Sequence, residues 1–424
     1  MLLNASAVLT MAVLSSCSGS ATGGNSSYQI PFLNSGGNLS TGAAAVNSKC
    51  AGITTGVNGG LNGFVPFPAN NPWNTSVQGI AADSNSATLI ANYEGAIGTT
   101  PNLQGDFGPV YGELYNVVDS STQPVQPINI NQYPEQSDVM PVPLPNTAVV
   151  EGGSQTCTGG GDCHMFILDR NQCWLYETWD TSFNGTQWQA ANMAVWDMLN
   201  TSDRPYGWTS ADAAGLPVFP GLLRYDEAAS GVINHAIRFT FSKTVGSFIA
   251  PASHAAGSTS AAFPMGTRLR LKSSVDISSF SSMDQAVLTA MKNYGIILAD
   301  NGLDLEIAGV NDTRWAESDV VALKTLNLDD FEVVSQGASI AMNALPSGQA
   351  PVINSFAASS QSITSGSSVT LNWSTSDSSW NFIDVLGPVR GNSVTISPTA
   401  TTTYVFTSTN TYGRSTQAIT VIVN

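Results

Sequence analysis

The apolar residues of this chain recur in short alternating runs, broken by Gly, Pro, Asn and Ser, and few stretches carry the period of a helix. Ser368–Ser374 and Ser393–Ser397 alternate apolar with polar residues, and Thr403–Thr407 does so in part. The two extended runs Met165–Leu168 and Cys173–Tyr176 flank the turn-like Asp169-Arg170-Asn171-Gln172. With Pro-rich connections such as 132–145, this favours a mostly β protein: a large β-sandwich or jelly-roll-like domain with short helices, followed by a small β-sandwich.

Composition varies along the chain. Residues 1–17 read as a targeting segment, too short to span a bilayer as a permanent helix. Residues 18–49, mostly Gly, Ser, Asn and Ala, cannot bury enough surface to offset their ordering entropy and read as a tether. Residues 50–334 have apolar content and length for one sizeable core, 335–350 read as a linker, and 351–424 as a separate all-β unit. Charged residues make up only 10% of the chain and the formal net charge is −16, so nucleic acid and anionic membrane surfaces are poor partners.

Local signals are specific in four places. Asn301-Gly302 between two extended runs predicts a tight hairpin. Ser282 predicts the cap of a helix with Gln285 at its third position, Val287, Leu288, Met291 and Tyr294 on one face, and Gly295 as its stop. Ser210 to Gly215 predicts one or two helical turns, and Asp226 the N-cap of a short helix ending at Gly231. Five cysteines leave an even four once Cys17 is set aside, and Cys50, Cys157, Cys163 and Cys173 can pair in three ways. The short Gly-rich loop lets Cys157 close on Cys163, leaving Cys50 for Cys173. There is no paired CxxC, so no metal set and no cofactor is expected.

Leu14-Ser15-Ser16-Cys17 resembles a bacterial lipobox, although no Lys or Arg precedes it. The resemblance implies lipidation at Cys17 and a secreted protein anchored to the cell envelope, touching the membrane only through that lipid. Segments 167–177, 207–217 and 293–302 are similar to an uncharacterised family of secreted β-rich bacterial proteins, over about residues 64–334. That likeness implies extracellular location and no particular activity. Pro351–Phe356, Leu371–Ser374, Ser397–Tyr404 and Thr409–Gly413 resemble the bacterial immunoglobulin-like domains appended to secreted enzymes and adhesins, which implies a spacer or binding unit with Trp373 in its core.

The groups able to carry chemistry are concentrated. All three histidines and six of nine arginines fall between residues 164 and 272, with five of nine tryptophans, whereas Lys49 is the one basic side chain before residue 164. These groups are expected to line one exposed cleft. A four-residue loop at 169–172 would set His164 opposite Glu177, a pairing that raises an imidazole's pKa. His254, in a loop of small residues, is the best single functional candidate. Asp226 or Glu227, with Glu177 or Asp180, could supply the two carboxylates of glycoside hydrolysis. Arg238, on a small-residue strand face, and Arg224 would bind substrate, with Trp179 and Trp208 as stacking surfaces, while His235 reads as a core histidine and Arg268 and Arg270 as a solvated face.

GxSxG, HExxH, P-loop and EF-hand patterns are all missing. The expectation is thus a surface protein acting on extracellular polysaccharide, as hydrolase or lyase. The alternative is a non-catalytic protein that binds cell-surface glycan or mediates adhesion.

Overall fold

The computed structural model describes residues 49–156, 162–201, 203–260 and 263–424. The targeting segment with Cys17, nearly all of the tether, and Cys157 lie outside them. The chain is mostly β, with few short helices and sheets packed face to face.

A six-stranded sheet runs in the order Phe331–Val333, Arg268–Leu271, Ile296–Asn301, Ile237–Phe241, Glu306–Asn311, Gln104–Gly108. Alternation along its strands decides its two faces. Phe239, Phe241, Leu269, Leu271, Leu298 and Ile307 point to a core closed by the helices Ser86–Ile97 and Ser282–Asn293. Ala308 and Val310, one position out of phase with Ile307, point the other way. There they meet Tyr115, Val117, Phe166, Leu168 and Trp196 of a five-stranded sheet.

That second sheet has the order Gly56–Val57, Tyr115–Val118, Met165–Asp169, Trp174–Trp179, Asn192–Asp197. Its outer face (Met165, Ile167, Tyr176, Met193, Val195) is covered in turn by Met140, Val142, Trp188, Trp380 and Phe382. Burial on both faces explains why its strands read as continuous apolar runs. Phe166 and Phe239 are fully buried, and truncating either to Ala would cost about 3–5 kcal/mol.

The hairpin Met165–Asp169/Trp174–Trp179 forms, with a different register from the expected one. Asp169 pairs with Trp174, Leu168 with Leu175 and Phe166 with Glu177, so His164 does not face Glu177. The shift originates at Cys173, which takes a left-handed φ of 58° and is bonded to Cys50, leaving the ladder. The Cys50–Cys173 disulfide is the expected one. Cys163 is also disulfide-bonded, and the expected partner Cys157 lies outside the described residues.

The Asn301-Gly302 hairpin does not form. Ile237–Phe241 lies between the two strands, parallel to Ile296–Asn301 and antiparallel to Glu306–Asn311. The connection passes over the end of this inserted strand, where the Thr240 hydroxyl donates to Leu303 O at 2.7 Å. Burying five consecutive residues of Ile237–Phe241 outweighs a local turn preference.

The long helix is capped one residue earlier than expected, by Ser281, whose Oγ accepts from Asp284 N. Ser210–Gly215 makes a turn closed by Gly215 N on Asp212 O, not a helix. The helix Tyr225–Ser230 does stop at Gly231 (φ 79°), but Asp226 sits inside its first turn and Arg224 occupies the N-cap position. Nor are Arg268 and Arg270 a solvated face. Arg268 is buried and donates to Thr75 O, and Arg270 pairs with Glu332 and donates to Ile80 O, fastening segment 72–80 to the sheet.

Residues 352–423 form two sheets around a core of Phe356, Trp373, Tyr404 and Phe406. The preceding 335–350 stretch is docked, with Ile340–Ala341 pairing with Thr244–Phe248. Arg390 anchors this part of the chain, pairing with Asp197 and lying over the Trp174 ring at 3.8 Å.

Candidate functional site

The three histidines do not converge on one cleft. Two of them hold opposite ends of one turn: His164 Nε2 donates to Ala211 O at 2.9 Å, and His254 Nδ1 donates to Ala213 O at 2.6 Å. Between these carbonyls Asp212 accepts from Arg238 through both oxygens, at 2.8 and 3.0 Å. Arg238 also meets Asp300 Oδ2 at 3.3 Å.

The sharp reversal depends on Gly215 (φ 70°), where a Cβ would stand 2.3 Å from Ser253 Oγ. Arg238 and His254 are therefore anchors of a buried turn instead of groups presented to a substrate. Burial lowers the His254 pKa. Burial also acts to lower that of Arg238, but Asp212 reverses this and leaves it above the ordinary arginine value.

Glu177 is also structural. It is fully buried and accepts from Val218 N, Phe219 N and Trp196 Nε1. Burial raises its carboxyl to about 7 against those three donors. Sealed in this way, it cannot flank a glycosidic bond with Asp226 or Glu227. Asp180 accepts from Gln132 and does not line the cleft that holds Asp226 and Glu227.

Trp179 packs at the edge of the inter-sheet core, 6.3 Å from the Tyr133 ring. Trp208 lies between Arg204 and Arg414, at 5.7 and 5.0 Å. Neither lines the cleft beside the helix Tyr225–Ser230.

A concave site rich in polar groups lies elsewhere. A cleft of about 400 Å³ opens beside the helix Tyr225–Ser230, lined by Asn58, Asn62, Tyr115, Arg224, Asp226, Glu227, Asn234, Asp312 and Arg314 among others. Arg224 and Glu227 share its floor, joined at 2.8 Å. Behind them His235 is buried, its Nδ1 donating to Ala236 O at 2.8 Å and its Nε2 lying 2.9 Å from Arg224 Nη2 and 3.2 Å from Glu227 Oε2.

Helix geometry brings these groups together, because Arg224 and Glu227 are three residues apart across the N-terminal turn. Burial acts to raise the Glu227 carboxyl, but the Arg224 guanidinium, with His235, outweighs it and holds the pKa at about 2. At the rim Arg314 bridges Asp226 and Asp312, both at 2.6 Å, and lies over the Tyr225 ring at 4.3 Å. Asp226 is thus explained by an ion pair instead of capping. The expected members Arg224, Asp226 and Glu227 are here; Glu177, His164, His254, Arg238, Trp179 and Trp208 are not.

A third cluster was not expected. Glu113, Glu151 and His164 place one ligand atom each within 4.8 Å of one another. His164 Nδ1 lies 2.9 Å from Glu113 Oε1. Burial would lower the imidazole pKa, and the Glu113 carboxylate reverses this and raises it to about 10.

Glu151 Oε2 accepts from Cys163 N at 2.7 Å, and Glu151 N donates to His164 O, so the three side chains share one backbone scaffold. No local signal reveals this set: Glu113 is 51 positions from His164, and the strand pairing Tyr115↔Phe166 brings the two together.

Comparison with known proteins gives no match: no family model, no curated sequence and no solved structure resembles this chain significantly.

Proposed function

We propose that this is an exported protein whose cleft beside the helix Tyr225–Ser230 binds a neutral sugar unit of an extracellular glycan, without cleaving it. The observation that carries this reading is the pairing inside the cleft. Two arginines face three carboxylates, and all five are matched: Arg224 with Glu227, and Arg314 with Asp226 and Asp312.

Paired guanidinium and carboxylate groups offer adjacent donors and acceptors, which suits vicinal hydroxyls, and Asn58, Asn62 and Asn234 add amides to the same walls. A uronate would need an uncompensated cation, and here the carboxylates outnumber the arginines. Hydrolysis would need a carboxyl able to give a proton. Glu227, held at about 2 beside Arg224, is unsuited to that role. Export fits the Cys50–Cys173 disulfide, a bond kept in oxidising compartments. The lipobox-like Cys17 would add an envelope anchor.

Titration of the purified chain with a panel of neutral and acidic polysaccharides, read by calorimetry and by reducing-end assay, tests this. Binding of a neutral glycan without release of reducing ends is expected, and Asp226→Ala should weaken it about tenfold with the fold unchanged. Product formation, or binding indifferent to Asp226→Ala and Arg314→Ala, would overturn the reading.

A further inference from the structure

The contact between His164 and Glu113 can be closed by only two kinds of cation. His164 Nε2 faces the Ala211 carbonyl oxygen at 2.9 Å, and a carbonyl only accepts, so Nε2 carries a hydrogen. In a neutral imidazole Nδ1 is then a lone pair, and it points at another acceptor, Glu113 Oε1, 2.9 Å away. Something positive must sit between them, either a proton or a metal ion.

A proton satisfies Oε1 alone. The second oxygen, Glu113 Oε2, has no hydrogen-bond partner among the described residues, although the side chain is only 8% exposed. An unpaired buried carboxylate oxygen is costly, and a cation held by this group removes the cost.

The spacing suits an ion. Nδ1 and Oε1 stand at 2.9 Å. Two bonds of about 2.1 Å in tetrahedral geometry separate their ligand atoms by about 3.4 Å, so Nδ1 and Oε1 need part by only about 0.5 Å to admit one. Glu151 completes a triad whose ligand atoms lie within 4.8 Å of one another, and its contact with Cys163 N fixes its direction.

The Ala211 carbonyl fills the usual outer role for a metal-bound histidine, holding the far N–H and so keeping the near nitrogen as the ligand. Asp106 and Asp162 add negative charge around the group, against the cation Arg238, which also acts on His164. One imidazole with two carboxylates favours a first-row divalent ion over Ca²⁺, which takes oxygen ligands alone.

We propose that Glu113, Glu151 and His164 bind one divalent transition-metal ion of the Zn²⁺ class, through His164 Nδ1 and a carboxylate oxygen from each glutamate. Such an ion would fasten the turn at Glu151 to the starts of strands Tyr115–Val118 and Met165–Asp169. Its site is separate from the cleft that holds Arg224 and Glu227.

Chelator-treated full-length protein titrated with ZnCl₂ by calorimetry should bind one ion per chain. Glu113→Gln and Glu151→Gln should each weaken binding at least tenfold. A Co²⁺-loaded sample should show visible ligand-field bands that are lost in the same variants. Glu151 is only half-buried, so Glu151→Gln reads the site even where Glu113→Gln fails to fold. Failure of the wild type to bind Zn²⁺, or affinity and Co²⁺ spectra unchanged in Glu151→Gln, would overturn the proposal and leave a proton in the His164–Glu113 contact.

Discussion

Two histidine–glutamate pairs lie in this molecule, and their surroundings differ. His235 and Glu227 are closed by Arg224: its Nη2 donates to Glu227 Oε1 and also lies 2.9 Å from His235 Nε2, and the guanidinium donates as well to Phe219 O. Among the described residues, His164 and Glu113 have no arginine within bonding distance, and one carboxylate oxygen is left without a partner. The same two residue types thus make an arginine-neutralised network in one place and an incomplete coordination shell in the other. Whether a buried acid is structural or ligand-binding depends on how many of its lone pairs the protein itself satisfies.

The largest expected effect comes from breaking the closed network. Arg224→Ala strands Glu227 without its cation and should cost about 3–5 kcal/mol in urea denaturation. Isosteric amides sharpen the contrast. Glu227→Gln keeps an acceptor for Arg224 but removes the charge that neutralises the buried guanidinium, and should cost about 2–3 kcal/mol. Glu113→Gln, in chelator, offers a donor to the His164 Nδ1 lone pair and should cost less than about 1 kcal/mol. Equal losses in the two variants would erase the distinction between the sites.

A third buried acid, Glu177, provides a pH test. Its folded pKa of about 7 lies above the ordinary glutamate value. Between about pH 4.5 and 7 the folded state therefore holds a proton that the unfolded state has released, so stability falls as pH rises through that window, by at most about 1.4 kcal/mol per pH unit. Denaturation midpoints of wild type and Glu177→Gln measured at pH 5 and pH 8 should show a smaller pH difference in the variant. A wild type equally stable at both pH values would contradict a raised Glu177. The smallest effect is expected at the cleft rim, where Asp226 and Arg314 are 61% and 52% exposed. Asp226→Ala should change stability by less than about 0.5 kcal/mol while affecting glycan binding.

Features set by neighbouring residues were legible in the sequence. The capped helix ending near Gly295, the stop at Gly231 and the two strands before and after Asp169 follow from short-range rules, and the Cys50–Cys173 bond from cysteine parity and the short loop that sets Cys157 and Cys163 aside. Non-local pairing was not legible. Asn301-Gly302 carries a hairpin signal, yet the strand Ile237–Phe241, more than fifty residues earlier, takes the place between its arms.

The candidate site divides in the same way. Arg224, Asp226 and Glu227 share one helical turn and could be grouped from the sequence. His254 and Arg238 looked available because nothing local accounts for them, and their partners Ala213, Asp212 and Asp300 come from other segments. Glu113 and Glu151 lie in a stretch almost devoid of basic residues, and only the parallel pairing of Tyr115–Val118 with Met165–Asp169 brings Glu113 to His164.

The most direct test of the difference between the two pairs is a thermal melt of chelator-stripped protein with and without excess Zn²⁺, for wild type, Glu113→Gln and Glu227→Gln. Zn²⁺ should raise the melting temperature of wild type and, from its lower starting point, of Glu227→Gln, and leave Glu113→Gln unmoved. A Zn²⁺ shift of equal size in Glu113→Gln would contradict an ion at His164 and its two glutamates.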